Sequence, residues 1–240
     1  MIEITDLSFQ YNKKSIVYKN LNLNIKDNSI VGLLGHNGAG KTTLIKLIAG
    51  LLNPREGHIL INGIAPNVNK HKRGMLSYMP EYDGIYNQLT VMQNMKFRAR
   101  LIHLDDSYME SECERVLKMI GLWKKKDTKA FHLSNGMRKR LVLACSCLDY
   151  PEILLLDEPT NGVDQESKQR IIRLLKSMNN KGTTIVVSSH DFELINAICE
   201  EVVIINTGKI EYCGEKPDEE SLMNKYSKLT FDEEEDWDVE

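Results

Sequence analysis

The stretch LLGHNGAGKTTLIKL, Leu33–Leu47, sets three glycines and an alanine between one apolar run and a lysine that opens another. A chain gives up side chains in a bend when something else must approach its backbone. Gly35, Gly40, Lys41 and Thr42 match G-x-x-x-x-G-K-[ST], the spacing whose backbone N–H groups cradle phosphates. A plain strand-to-helix turn needs one glycine and no lysine. The flanks fit the motif. Ser29 to Leu34 reads as a buried strand, and Thr43 to Leu52 carries Leu44, Leu47, Ile48 and Leu51 at helical spacing, with Pro54 as its stop. In that setting the loop amides and the helix N-terminus face an anion together. Lys41 is placed to reach the β- and γ-phosphates, and the Thr42 hydroxyl to hold Mg²⁺.

Outward from this loop, residues 2–11 and 16–25 alternate apolar and polar positions, as antiparallel strands with one wet face do, and Gly57–Gly63 reads as a further strand. From about Gln88 to Tyr150 the spacing turns helical. Val91, Met95, Phe97–Leu101, Cys113, Val116, Leu117 and Ile120 fit core positions of amphipathic helices better than a cofactor box. Buried-strand runs return at Glu152–Leu156, Thr184–Val187 and Val202–Ile205, with helices near Gln165–Met178 and Phe192–Cys199 between them. Strands alternating with helices imply an α/β fold with a mostly parallel sheet. The expected architecture is a P-loop NTPase core with an N-terminal antiparallel β-subdomain and an inserted α-helical subdomain at about residues 82–150. Residues 1–230 form the nucleotide-binding domain, and 231–240 an acidic tail expected to be disordered.

Composition narrows the function classes. A chain of 240 residues with 42% hydrophobic residues can bury one substantial core. Its longest apolar runs, such as Ile153–Leu156, fall far short of the ~18–20 residues that span a bilayer. The start lacks the basic head and small-residue cleavage site of a secretory signal. Five cysteines with no C-x-x-C pair suit free buried thiols in a reducing cytosol better than a disulfide framework. The segment Phe231–Glu240 holds seven carboxylates and no lysine or arginine, so the preceding 230 residues carry +4 against the whole chain's −3. A solvated tail accounts for it, with docking of Trp237 on a partner as the alternative. The sequence pI of 6.1 and the absence of a basic stripe argue against a nucleic-acid partner.

Two further stretches carry chemistry. In ILLLDEP, Ile153–Pro159, an apolar strand delivers adjacent carboxylates at its carboxyl end, where open α/β sheets bind ligands. Neighbours on a strand point opposite ways, so Asp157 suits the metal side and Glu158 the attacking water. A strand that merely ends in solvated acids is the plainer reading. In LSNGMRKRLVLACSCL, Leu133–Leu148, Ser134 reads as an N-cap, Gly136 exposes backbone, and Leu141, Val142, Cys145 and Leu148 form a buried stripe. Arg138, Lys139 and Arg140 lie in the first turns, where the helix dipole disfavours cations, so this start is a candidate anion site, with a basic surface turn as the alternative.

Taken in order, the P-loop, the helical insertion, the LS-x-G stretch, the strand ending in Asp-Glu, the run PTNGVD and the later SSH resemble the ATP-binding subunits of ABC transporters, from Ile2 to about Gly214. The resemblance implies ATP and Mg²⁺ as ligands. It implies that Tyr11 stacks on adenine and that Gly35, Asn37, Gly38, Ala39, Gly40, Lys41, Thr42 and Thr43 form the P-loop. It assigns Thr42, Asp157 and Glu81 to the metal, Glu158 as general base and His190 as the γ-phosphate contact. Ser134, Asn135, Gly136 and Met137 become the signature, which with Asp164 lies at a dimer interface, so that each ATP sits between one subunit's P-loop and the other's signature helix. Two departures stand out. The family pattern L-S-G-G-Q is Leu133, Ser134, Asn135, Gly136, Met137 here, and the glutamine linking the metal site to the helical subdomain is Glu81. Both resemble the subgroup that drives exporters.

The implied partners are a second ATP-binding subunit and a membrane-spanning subunit, with the chain peripheral on the cytoplasmic face. His36, His58, His71, His103 and His132 receive no role, because lone histidines are usually structural. A P-loop kinase would share Lys41 and Asp157 but has no use for a signature helix, and a related ATPase acting in a soluble assembly complex stands as the alternative.

Overall fold

The computed structural model describes residues 1–12, 15–67, 74–82 and 84–230. The acidic tail, Trp237 and His71 lie outside the described residues. In chain order the elements are β1 (Ile2–Asn12), β2 (Ser15–Ile25), β3 (Ile30–Leu34), α1 (Lys41–Ile48), β4 (Glu56–Ile61), β5 (Leu76–Met79), α2 (Val91–Leu101), α3 (Asp106–Met119) and α4 (Asn135–Ser146). These continue through β6 (Ile153–Asp157), α5 (Gln165–Asn179), β7 (Thr184–Ser188), α6 (Phe192–Ile198), β8 (Glu201–Asn206), β9 (Lys209–Glu215) and α7 (Glu219–Thr230).

Strand β1 pairs antiparallel with β2 on one edge and β4 on the other. Its alternation buries Ile2, Ile4, Leu7 and Phe9 while Glu3 and Ser8 stay partly wet. The second sheet runs β5-β6-β7-β3-β8-β9, parallel from β5 to β8, with β9 antiparallel at the edge. Its inner strands are buried on both faces, hence their unbroken apolar runs. Ile153 and Leu155 of β6 join the core beneath α1 and the antiparallel sheet, whereas Leu154 and Leu156 join the core beneath the helical block. Each fully buried Leu or Ile contributes about 1.5–3 kcal/mol, so β6 is held firmly where its carboxyl end delivers Asp157.

Several details differ from the sequence reading. Helix α1 ends at Ile48, and the turn is made by Gly50 at φ +66°, so Pro54 lies beyond the stop. Strand β5 is four residues long, too short to show a period, and β9 and α7 lie past the last expected strand. Residue 82 and residues 84–90 are loop, with the helical block itself being α2 to α4. Helix α4 is not one-sided: Leu143, Ala144 and Cys147 are buried along with the expected stripe, because α4 fills the middle of the larger core. Four cysteines are buried free thiols, but Cys213 is exposed, because β9 is an edge strand with a partly wet surface.

Candidate functional site

Strand β3 hands the chain to the P-loop through Gly35, where a Cβ would lie 2.4 Å from the Ile205 carbonyl oxygen, so only glycine allows the loop to lie against β8. Gly38, at φ +89°, has nothing within 4 Å of its missing Cβ and leaves the concave side of the loop open. Helix α1 begins after Gly40 with no side-chain cap and no acid in its first turn. Its leading N–H groups therefore remain available to an anion, and the helix dipole favours one there. The buried Lys41 ammonium folds back to donate to the carbonyls of Gly35 at 2.7 Å and His36 at 3.1 Å. Burial holds its pKa below the usual lysine value, against the opposing pull of Glu158, Asp157 and Glu81.

The parallel register sets Asp157 beside Ser188 at the carboxyl ends of β6 and β7. Asp157 Oδ1 accepts from Thr42 Oγ1 at 3.0 Å and from Ser188 Oγ at 2.6 Å, whereas its buried Oδ2 has no hydrogen-bond partner. An orphaned carboxylate oxygen beside a threonine hydroxyl is a hard-oxygen donor set that fits Mg²⁺, which keeps most of its own waters. Glu158 diverges from Asp157 for a reason other than strand alternation. Strand β6 has ended, and Glu158 sits in the left-handed region at φ +49°. Such a conformation costs about 1–3 kcal/mol and persists where the surroundings enforce it, here through hydrogen bonds from its N–H to Ser188. The turn carries Glu158 Oε2 to within 2.9 Å of His190 Nδ1.

One cavity of about 580 Å³ is lined by Tyr11, Asn37, Gly38, Gly40, Lys41, Thr42, Thr43, Glu81, Glu158 and His190, which the sequence reading had singled out separately. Tyr11 is 55% exposed at its mouth, with its hydroxyl 3.1 Å from Thr43 Oγ1. Gly35 and the buried Ala39 support the loop from behind. Five contributors were not foreseen: Ser188, which holds Asp157, and the cavity-lining Ser15, Val17, Tyr82 and Asn161, the last of which donates its amide to Glu81 Oε1 at 3.3 Å. Ser188 and Asn161 lie inside runs already noted, SSH and PTNGVD, but only the folded register aims them.

The signature residues do not join this cavity. Ser134 caps α4 as expected, accepting from the Met137 N–H at 3.3 Å, and Ser134 and Asn135 are exposed. Gly136 does not expose backbone. A Cβ there would meet Asp164 Oδ2 at 2.9 Å, so the glycine is buried against Asp164, which caps α5 through Ser167. The three cations of α4 also find local partners. Arg138 donates to Asn87 and Ala130, Lys139 to the Glu81 carbonyl at 2.6 Å, and the buried Arg140 to the Ile120 carbonyl at 2.6 Å. Backbone carbonyls of neighbouring loops thus account for their position near the helix start, and an anion is not needed to explain it. Glu81 and Lys139 border a second cavity of about 450 Å³ with Tyr82, Ile85 and Asn135.

Residues 18–161 match the family model described as ABC transporter. The bacitracin transport ATP-binding protein BcrA of Bacillus licheniformis is 36% identical over 88% of this chain and 68% of its own length. The energy-coupling factor transporter ATP-binding protein EcfA2 of Caldanaerobacter subterraneus is 33% identical over 89% of this chain and 78% of its own. The dimeric post-hydrolysis structure of the ATP-binding cassette MJ0796 bound to ADP and Pi superposes with a TM-score of 0.81 at 25% identity, covering 90% of this chain and 98% of that one.

Proposed function

This chain belongs to the ABC transporter family as an ATP-hydrolysing subunit, and from that membership we propose that it pairs head to tail with a second cassette, an identical copy or a close relative, to drive export through a separate membrane-spanning subunit. The observation that carries this reading is the division of the site. The P-loop, Glu158 and His190 line one cavity, while the Ser134 cap is exposed and outside it. A nucleotide bound in one chain therefore keeps an uncovered side that a second chain's Ser134 helix start is suited to close, and a dimeric relative with bound nucleotide supports the pairing.

In this reading Lys41 leaves the Gly35 and His36 carbonyls for the β- and γ-phosphates, and Tyr11 stacks on the base. Thr42 and Asp157, with Glu81, would hold Mg²⁺, which would supply charge neutralisation on the phosphates. Hydrolysis is transfer of the terminal phosphoryl group to water, in which positioning and charge stabilisation do most of the work. Glu158 orients the water and takes its proton as oxygen bonds to phosphorus and the ADP oxygen departs. His190 moves from Glu158 to the γ-phosphate. The partner's Ser134, Asn135, Gly136 and Met137, with the Asp164 segment, complete the site.

Among the described residues no helix is long and apolar enough to cross a membrane; in this reading the chain couples by contact with the membrane-spanning subunit at its cytoplasmic face. The groove around Tyr82, Ile85 and Tyr86, with Tyr82 72% and Tyr86 55% exposed, suits that contact. The departures at Asn135, Met137 and Glu81 favour the export direction. Photocrosslinking from Tyr82, Ile85 or Tyr86 in native membranes should capture a membrane-spanning protein. Capture of soluble chains alone would favour action in an assembly complex.

A further inference from the structure

The back of the P-loop is linked to the end of α7, the last helix among the described residues, through one side chain. At the end of β8, the Asn206 Nδ2 group donates to the Leu229 carbonyl of α7 at 2.9 Å, while its Oδ1 lies 3.2 Å from His36 Nε2. A carbonyl only accepts, so Leu229 fixes which way the amide faces. Asn206 must then present its oxygen to His36, which donates from Nε2 in the tautomer that carries the hydrogen there; its Nδ1 lies 2.8 Å from the Asn37 carbonyl. The His36 backbone carbonyl accepts from Lys41 at 3.1 Å. A second hydrogen bond, from the Gly208 N–H to the Ala39 carbonyl at 3.2 Å, braces the loop beside this joint.

Helix α7 also reaches the opposite side of the cavity. Its Tyr226 ring meets Phe192 edge to face at a centroid distance of 5.2 Å, and Phe192 opens α6 two residues after His190. Leu222 anchors α7 in the larger core with no exposure. One helix is thus linked through Asn206 to the segment that carries Lys41 and touches the segment that carries His190.

We propose that Asn206 is a positioning residue of the ATP site: by locking His36 to the end of α7 it makes the docking of that helix part of the chain's nucleotide affinity. The inference rests on the ATP-binding reading given above. Loss of both hydrogen bonds leaves the P-loop free to sample arrangements that do not bind phosphate, and affinity falls by the fraction of competent loop. By reciprocity, nucleotide bound at the loop firms the docking of α7.

The test is a double-mutant cycle on the full chain, reading the equilibrium Kd for ATP in EDTA alongside thermal melting. Asn206→Leu is expected to weaken ATP binding about 5- to 10-fold, the usual scale for one or two hydrogen bonds. His36→Leu should do the same, and the double variant should be no worse than either single one, because the two residues act through one link. Losses that multiply, or an Asn206→Leu Kd within twofold of the parent's, overturn the inference while leaving ATP binding intact. A parent chain that binds no ATP instead defeats the reading on which the inference rests. If Asn206→Leu does not fold, amide exchange in the parent decides. Addition of ATP should slow exchange in residues 222–229, and an unchanged α7 overturns the proposal.

Discussion

His190 Nδ1 lies 2.9 Å from Glu158 Oε2, an ion-pair distance without hydrogen-bond geometry, so the γ-phosphate contact and the general base of the proposed site are direct neighbours. Glu158→Gln keeps the shape of the pair but removes the proton acceptor. It should retain ATP binding and lower turnover by roughly 10²- to 10⁴-fold. Steady-state hydrolysis near the parent's rate would remove Glu158 from the role of base. Lys41→Ala, by contrast, should show its loss in binding itself, since Lys41 is the cation inside the loop.

Ser134 is exposed and far enough from its own P-loop to line none of that loop's cavity. Ser134→Arg should therefore leave ATP affinity of the single chain intact and abolish ATP-dependent dimerisation and turnover. Light scattering with the hydrolysis-deficient Glu158→Gln chain as reference gives the readout. Equal loss of single-chain affinity in Ser134→Arg and Lys41→Ala would place the signature in the same chain's site and end the head-to-tail reading.

Gly35 is a packing residue as much as a phosphate-loop residue. Its missing Cβ would stand 2.4 Å from a backbone oxygen of β8, which cannot swing aside as a side-chain tip can. Gly35→Ala should cost about 1–3 kcal/mol by overpacking, lowering Tm by roughly 3–10 °C for a chain of this size, and should weaken ATP binding as the loop shifts. An unchanged melting curve would show that β8 yields freely.

Glu112 on α3 is fully buried, gripped by Arg115 at 2.6 Å and by the Asp149 N–H at 3.0 Å, with the Tyr108 hydroxyl at 2.9 Å. Burial alone pushes its carboxyl pKa up, but hydrogen bonds from Arg115 and Asp149, aided by the Arg115 charge, outweigh this and hold it below the usual glutamate value. A pKa lowered by folding gives stability that is complete above the unfolded value of about 4.3. It drains as pH falls through the lower folded value. Glu112→Gln should flatten the acid limb of the stability curve below about pH 4.3, the unfolded carboxyl value. Glu112→Ala should cost about 3 kcal/mol at pH 7, because Arg115 loses its partner. Denaturant melts of the parent and both variants across that range decide it.

The residues of LLGHNGAGKTTLIKL settled much on their own. Glycine spacing, a lysine at a helix start and flanking apolar runs are local properties, readable because backbone freedom and helical period act over a few residues. The same locality made β1, β2, the inner strands and the Ser134 cap legible. What lay beyond reach was set by partners distant in the chain. Thr42 meets Asp157 across 115 residues, and Glu158 turns at φ +49° because Ser188 of another strand holds its N–H. Gly136 is buried because Asp164 comes to lie on it, and Arg138, Lys139 and Arg140 find carbonyls that no local pattern announces. Strand β5 exists because β6 supplies its hydrogen bonds, and α7 because a core and an asparagine at the end of β8 receive it. Local chemistry names the groups that can act. Which of them share one cavity is decided by strand register and packing, where each hydrogen bond depends on both of its ends being brought together.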